Sequence, residues 1–476
     1  MNIKKINKKI LITGVLFSLT LSACKLPGQS LINNNQNNNN TNTDSTNSGD
    51  SKTGNSSVVS VGNNDDNKNK ATESIIGETS DKYFIGFDYS SYADIFGNSP
   101  VIECKVRYDK KLEAVFHYLL PNGDVRFETK VFDLTDKQYE QISVQVDLNE
   151  IYNLDPEESD YEDVCDGGDV WLTIYGKDDK VLKNVGGFCP TGKRFNDIRE
   201  TLFNNLPEGL KESYDEYEKK YYLYNALNSY SDYGVFLDYD GDLNELVDYD
   251  VVVIDAQNFT KEEIENYKLY GDHYVFSYIN IGSLEEFRPY YSEYEDLTLD
   301  DYENWEDEKW IDASNDRWQS FILDELAKEM IDKGVDGFFV DNCDVYYQYP
   351  TDEMLDGVSE IMKGLVDTDK FVIMNGGDVF LDAYCDKRGE WSDVIAGINQ
   401  ETVFTKIDWE NDRLIVNTEE DREYFTNYLE KYADKGAYIF LLEYTDYEGT
   451  KRDIERYCYD HNFLFYITDS IDLDFK

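Results

Sequence analysis

The stretch GVDGFFVDNCD, residues 334–344, joins a short apolar run to a cluster of carboxylates. Phe338, Phe339 and Val340 are too few for a helix and are bracketed by polar residues, which predicts a buried parallel strand. Asp341, Asn342 and Asp344 then fall at its C-terminal end. In an all-parallel sheet the ligand crevice lies beyond those ends, so acids placed there face a ligand rather than the core. A lone Asp after a strand serves equally well as the cap of the next turn. The choice turns on whether the chain repeats the arrangement.

It does. After a charged, Tyr-rich segment at 208–228 that reads as a linking helix, apolar runs recur at 233–237, 251–254, 274–281, 337–340, 371–374, 394–398, 437–442 and 463–467. Helical patterns separate them, clearest at 261–270, 316–332, 352–366, 419–435 and 450–461. Eight alternations predict an α/β fold, a (β/α)8 TIM barrel over residues 206–476, with an open doubly wound sheet as the alternative. The strand ends then bring together Asp238 and Asp240, Asp255, Asn280 with Ser283, Glu285 and Glu286, Asp341 with Asn342 and Asp344, Asn375, Asn399 with Gln400 and Glu401, and Glu443 with Tyr444.

Upstream the chain has a different character. Lys4, Lys5, Lys8 and Lys9, an apolar run at 10–21, and Leu21-Ser22-Ala23-Cys24 form a charged, apolar and small-residue sequence that predicts an export signal over residues 1–23. The apolar run is well short of the roughly 20 residues of a membrane-spanning helix. The tetrad at 21–24 resembles the lipobox of bacterial lipoproteins, which implies lipidation of Cys24 and a protein anchored at the cell surface or in the periplasm. Residues 24–80, rich in Asn, Ser, Thr and Gly, cannot bury enough apolar surface to offset their ordering entropy and read as a disordered tether.

The chain holds 98 acidic and 45 basic residues, a net charge of −53. Loss of four lysines with the signal takes −53 to −57. Such a surface repels nucleic acid and favours cationic partners. Residues 81–205 predict a small mainly-β domain, with strands at 101–106, 114–119, 142–146 and 170–175 and a helix at 195–204. Gly187, Gly192 and Lys193 match part of a phosphate-loop spacing, but Arg194 stands where Ser or Thr is required and no strongly apolar strand leads in, so no nucleotide site is expected. The acidic run 157–169 lacks the spacing of a calcium loop and reads as solvated. Six cysteines besides Cys24 allow disulfides, Cys165 with Cys189 first among them. Three histidines give little support to a transition-metal site, and neither metal nor cofactor is expected.

A rim dense in carboxylates, amides and tyrosines without a cofactor fingerprint suits carbohydrate chemistry, because glycosidic cleavage needs two carboxyl groups flanking the bond. The series YVFSYINIGSLEEFRPYY, KWIDASNDRW, GVDGFFVDNCDVY, VIMNGG, IAGINQETVF and FLLEYT resembles glycoside hydrolase family 114, the endo-α-1,4-polygalactosaminidases, over residues 233–476. The resemblance implies a barrel that hydrolyses an α-linked galactosamine-containing polymer, with Asp341 and Glu401 as the catalytic pair. Asp255, Asn280, Glu285, Asn342, Asp344, Asn375, Gln400, Glu443 and Tyr444 are then expected to contact substrate, while Asp336, at the wrong end of its strand, is structural. Two departures stand out: Ser283 replaces the Glu of the family's strand-three I-G-E, and residues 233–237 lack the Trp and Gln of its opening. The first of them makes a non-catalytic glycan-binding lipoprotein the alternative reading.

Overall fold

The computed structural model describes residues 75–475 apart from 76, 91–99, 155–168, 189, 270, 303, 304, 306 and 412. The export signal, Cys24, almost all of the tether, both cysteines of the expected disulfide and most of the acidic run lie outside the described residues. Cys104, Cys343, Cys385 and Cys458 are free thiols. Among the described residues no helix is long and apolar enough to cross a membrane.

The small domain is one antiparallel sheet of six strands whose spatial order, numbered along the chain, is 4-3-2-1-5-6. It begins before residue 81: Ile75 is buried, Thr79 bridges Gly176, and the Ser80 hydroxyl accepts from the Lys82 and Tyr83 amides. Tyr83–Tyr89, Val125–Asp133 and Val181–Phe188 add strands beyond those expected. The expected strand at 142–146 is instead the end of a helix, Asp136–Gln145. A capping box between Thr135 and Gln138 nucleates that helix, which turns Ile142 and, partly buried, Tyr139 to the core, so the local alternation of β-branched residues is overridden from upstream.

In the second domain eight parallel strands run in chain order: Tyr233–Phe236, Val251–Ile254, Tyr274–Asn280, Gly337–Asp341, Phe371–Asn375, Gly397–Glu401, Tyr438–Tyr444 and Leu464–Thr468. The last returns beside the first, so the sheet curls into a nearly closed barrel rather than opening out. Alternation along the strands divides two cores. Val253, Phe276, Phe339, Ile373 and Phe440 fill the interior, while Val252, Ile254, Val340 and Ile398 pack under the helices. Strand six starts at Gly397, three residues after the expected start, because Val394 and Ile395 are buried in the turn that precedes it. The helix expected at 316–332 forms with a π-turn at Ile322–Leu326, and Asp378–Lys387 adds a helix after strand five.

The linking helix Leu210–Ala226 belongs to both cores. Leu210, Tyr214 and Tyr217 are buried in the small domain, and Leu223 packs into the barrel floor. Tyr224 sets its ring 5.6 Å from Phe371 and 5.7 Å from Tyr438, which open strands five and seven. The Asn122 amide donates to the Asp434 carbonyl at 3.0 Å nearby, so the small domain packs at the N-terminal ends of the strands. Asp336 lies at the same end, accepting from Lys268 and the Val275 amide, in the structural role expected of it.

Candidate active site

At the opposite, C-terminal ends of the strands the barrel opens into a cavity of about 830 Å³. Its floor is built from strand ends, and its walls come from two hairpins outside the eightfold repeat. One carries Thr298–Asp301 and Glu308–Ile311, the other Thr405–Asp408 and Arg413–Val416. Trp305 and Trp409, one from each, meet edge to face with ring centroids 5.8 Å apart at the mouth.

Asp341 and Glu401, expected as the catalytic pair, face each other across Asn375. The Asn375 amide nitrogen donates to Asp341 Oδ1 at 3.0 Å and to Glu401 Oε1 at 2.8 Å. Each carboxylate also accepts from a phenol: Asp341 Oδ2 from Tyr278 at 3.2 Å, Glu401 Oε2 from Tyr444 at 2.7 Å. Burial raises both phenols well above their ordinary range, which keeps them as donors. The Asn399 amide donates to Asn375 Oδ1 at 2.7 Å, which turns the Asn375 NH2 toward the two acids. Burial and then the Glu401 charge push the Asp341 carboxyl up to about 6, against the hydrogen bonds from Asn375 and Tyr278.

The backbone around Asp341 is equally constrained. The Ile281 amide donates to the Asp341 carbonyl at 3.2 Å, and Asn342 takes a left-handed φ of 64°. A Cβ on Gly282 would lie 1.8 Å from the Asn342 carbonyl oxygen, so only glycine allows strands three and four to approach this closely.

The other expected residues divide into three groups. Asn342, Asp344, Asn375, Gln400 and Tyr444 line the cavity with Asp341 and Glu401, as does Asp238. Burial, and then Asp378 and Asp341, push Asp344 up to about 7. Asp255 and Glu285 line it too, but their oxygens are occupied: Arg288 Nη1 reaches Asp255 at 2.5 Å and Arg288 Nε reaches Glu285 at 2.5 Å.

Two expectations need correction. Asn280 is buried off the cavity surface, its amide engaged by Tyr278, Ser283 and Glu308. Glu443 is turned away from the cavity. Leu442 and Tyr444 point into the barrel, so by strand alternation Glu443 points out, where it accepts from the Phe404 and Thr405 amides and the Thr405 hydroxyl. Burial pushes it up to about 7, and it anchors the loop after strand six rather than a ligand.

The sequence reasoning passed over Arg288, Glu308, Tyr278, Trp305 and Trp409, all of which line the cavity. Arg288 alone carried a signal, as the cation three residues after Glu285.

Residues 226–375, from the end of the linking helix through barrel strand five, match the model of glycoside-hydrolase family GH114. Similar solved structures include the glycoside hydrolase domain of PelA from Pseudomonas aeruginosa, 16% identical over 52% of this chain and 96% of that one, with a TM-score of 0.44. Aspergillus fumigatus Ega3 in complex with galactosamine is 17% identical over 51% and 92% of the two chains, with a TM-score of 0.41. No curated protein matches the sequence. The matched segment contains Asp341 and the Asn375 that joins it to Glu401, so the part of the barrel that carries these residues is similar to the GH114 glycoside hydrolases.

Proposed function

We propose that the barrel cleaves a polysaccharide containing α-linked galactosamine, with Asp341 attacking the anomeric carbon and Glu401 protonating the leaving oxygen. The observation that carries this reading is the shared amide of Asn375. Two oxygens within 3.0 and 2.8 Å of one nitrogen are under about 6 Å apart, close to the roughly 5–5.5 Å of a retaining pair and short of the roughly 6.5–9.5 Å that admits a water. In the second step Glu401 takes a proton from water, which releases the sugar from Asp341 with its configuration retained. The exposed rings of Trp305 and Trp409 offer apolar faces for sugars at the mouth.

Charge supports an amino-sugar polymer. The cavity is lined by Asp238, Asp255, Glu285, Asp307, Glu308, Asp341, Asp344, Glu401 and Asp472, against Arg288 and Lys406. Such a cavity attracts a polycation, and the attraction is screened over a Debye length of about 8 Å at physiological salt. A partly deacetylated polymer is expected to be cleaved faster than its fully N-acetylated form, with the advantage shrinking as salt is added. Equal, salt-independent rates on the two would remove charge as the basis of recognition.

We extend the proposal to location: Cys24 carries a lipid that holds the enzyme on the extracytoplasmic side of a membrane, on the strength of the lipobox-like tetrad. Incorporation of labelled fatty acid, abolished in Cys24→Ser, is the expected result. Labelling that persists in that variant would refute the anchor.

A further inference from the structure

Glu308 enters the cavity from outside the barrel repeat. It opens the strand Glu308–Ile311, which pairs antiparallel with Ser283–Glu285 just beyond barrel strand three, with Glu308 opposite Glu285. This register lays its carboxylate between the ends of strands three and four. Oε1 accepts from the Asn280 amide at 2.9 Å, from the Asn342 amide at 3.0 Å and from the Ser283 hydroxyl. All three donors are neutral and all three meet the same oxygen.

The neighbouring acids are satisfied differently. Asp255 and Glu285 share the Arg288 guanidinium, and Asp341 and Glu401 each receive one donor on each oxygen. Glu308 Oε2 receives no hydrogen bond from the described residues, and none of their cationic groups pairs with this carboxylate, although the side chain lines the cavity. A largely buried carboxylate without a counter-charge is costly, and burial pushes Glu308 up to about 7, with the Asp341 and Glu285 charges adding to the effect. A cation brought to Oε2 would remove the cost. The Asn280 amide touches both Glu308 Oε1 and the Tyr278 hydroxyl, and that hydroxyl bonds Asp341, so Oε2 lies close to the cleavage point.

We propose that Glu308 selects the substrate by accepting the ammonium group of an amino sugar on Oε2, an inference that rests on the amino-sugar reading above. The three neutral donors fix the carboxylate, and the open oxygen is the recognition element. An N-acetylated sugar, which has no charge at that nitrogen, gains nothing comparable.

Glu308→Gln keeps an oxygen for the three donors and removes the charge. Its kcat/KM on a partly deacetylated α-linked galactosamine-containing polymer, divided by that on the fully N-acetylated polymer, is expected to fall at least about tenfold from the wild-type ratio, the size of a charge-assisted hydrogen bond, mainly through KM. Glu308→Asp, which keeps the charge, is expected to retain a preference for the amine even where its rate drops. Proportional losses on both polymers in Glu308→Gln, or an unchanged ratio, would overturn the assignment and leave a positioning role for the side chain. Wild-type cleavage of neither polymer would overturn the amino-sugar reading and this assignment with it.

Discussion

Asp341→Asn and Glu401→Gln are each expected to lower turnover of the polymer by about two orders of magnitude or more while leaving the melting temperature close to that of the wild type. Asn and Gln keep an oxygen for the phenol or the shared amide, so folding is preserved while the nucleophile or the proton donor is lost. The two variants should fail differently. With an activated aryl glycoside, Glu401→Gln still forms the glycosyl-enzyme but hydrolyses it slowly, so mass spectrometry should find a sugar adduct on Asp341. Asp341→Asn should form none. The wild-type kcat/KM should also fall as pH drops through about 6, because attack needs the ionised form of Asp341 and burial beside Glu401 has raised its titration there. Retention of most activity by either variant would remove the pair from the mechanism.

Arg288→Met is expected to destabilise the barrel by about 3–5 kcal/mol, measured by denaturant unfolding at pH 7. The guanidinium is the counter-ion of two carboxylates, and the three side chains are 6%, 7% and 11% exposed. Removing it leaves Asp255 and Glu285 buried and uncompensated. Burial already raises the Glu285 carboxyl above its ordinary range against the pull of Arg288, and without that pull it rises further, so Glu285 is tolerated when protonated and becomes costly as pH rises through the folded value. The deficit of the variant should therefore be small near pH 4 and large at pH 7. Replacing all three together, as Arg288→Met with Asp255→Asn and Glu285→Gln, should recover much of the loss. A single variant as stable as the wild type at pH 7 would mean that the triad is solvated and contributes little.

The parts of this site that were legible in the sequence follow the barrel's own period. Asp341, Asn375 and Glu401 end strands four, five and six, and the rule that strand ends face the ligand is enough to find them. Glu443 was misread although the information was present: residues alternate along a strand, and with Tyr444 facing in, Glu443 faces out. Glu308 was not legible, and Arg288 only as a cation near Glu285, because both reach the cavity from segments inserted between repeats. Where those segments land depends on an antiparallel register that apolar periodicity does not encode. Ser283 shows the cost. It looked like the loss of a carboxylate, yet its hydroxyl bonds Glu308, so an acid still stands at the end of strand three, supplied from 25 residues downstream. In the small domain the edge strand Val125–Asp133 does alternate, Val125, Phe127 and Val131 against Arg126, Glu128 and Lys130, but here the apolar set is the exposed one.

The position of the small domain determines how it could influence cleavage. It packs under the N-terminal ends of the barrel strands, and the cavity opens beyond their C-terminal ends. The seven residues of strand seven alone separate the two by roughly 20 Å. A ligand short enough to fit the cavity does not reach the small domain, so that domain takes no part in choosing the bond to be cut. Any glycan held there would act on the cavity through avidity, as a high local concentration of the rest of its own chain, with a strength set by the length of polymer spanning the barrel.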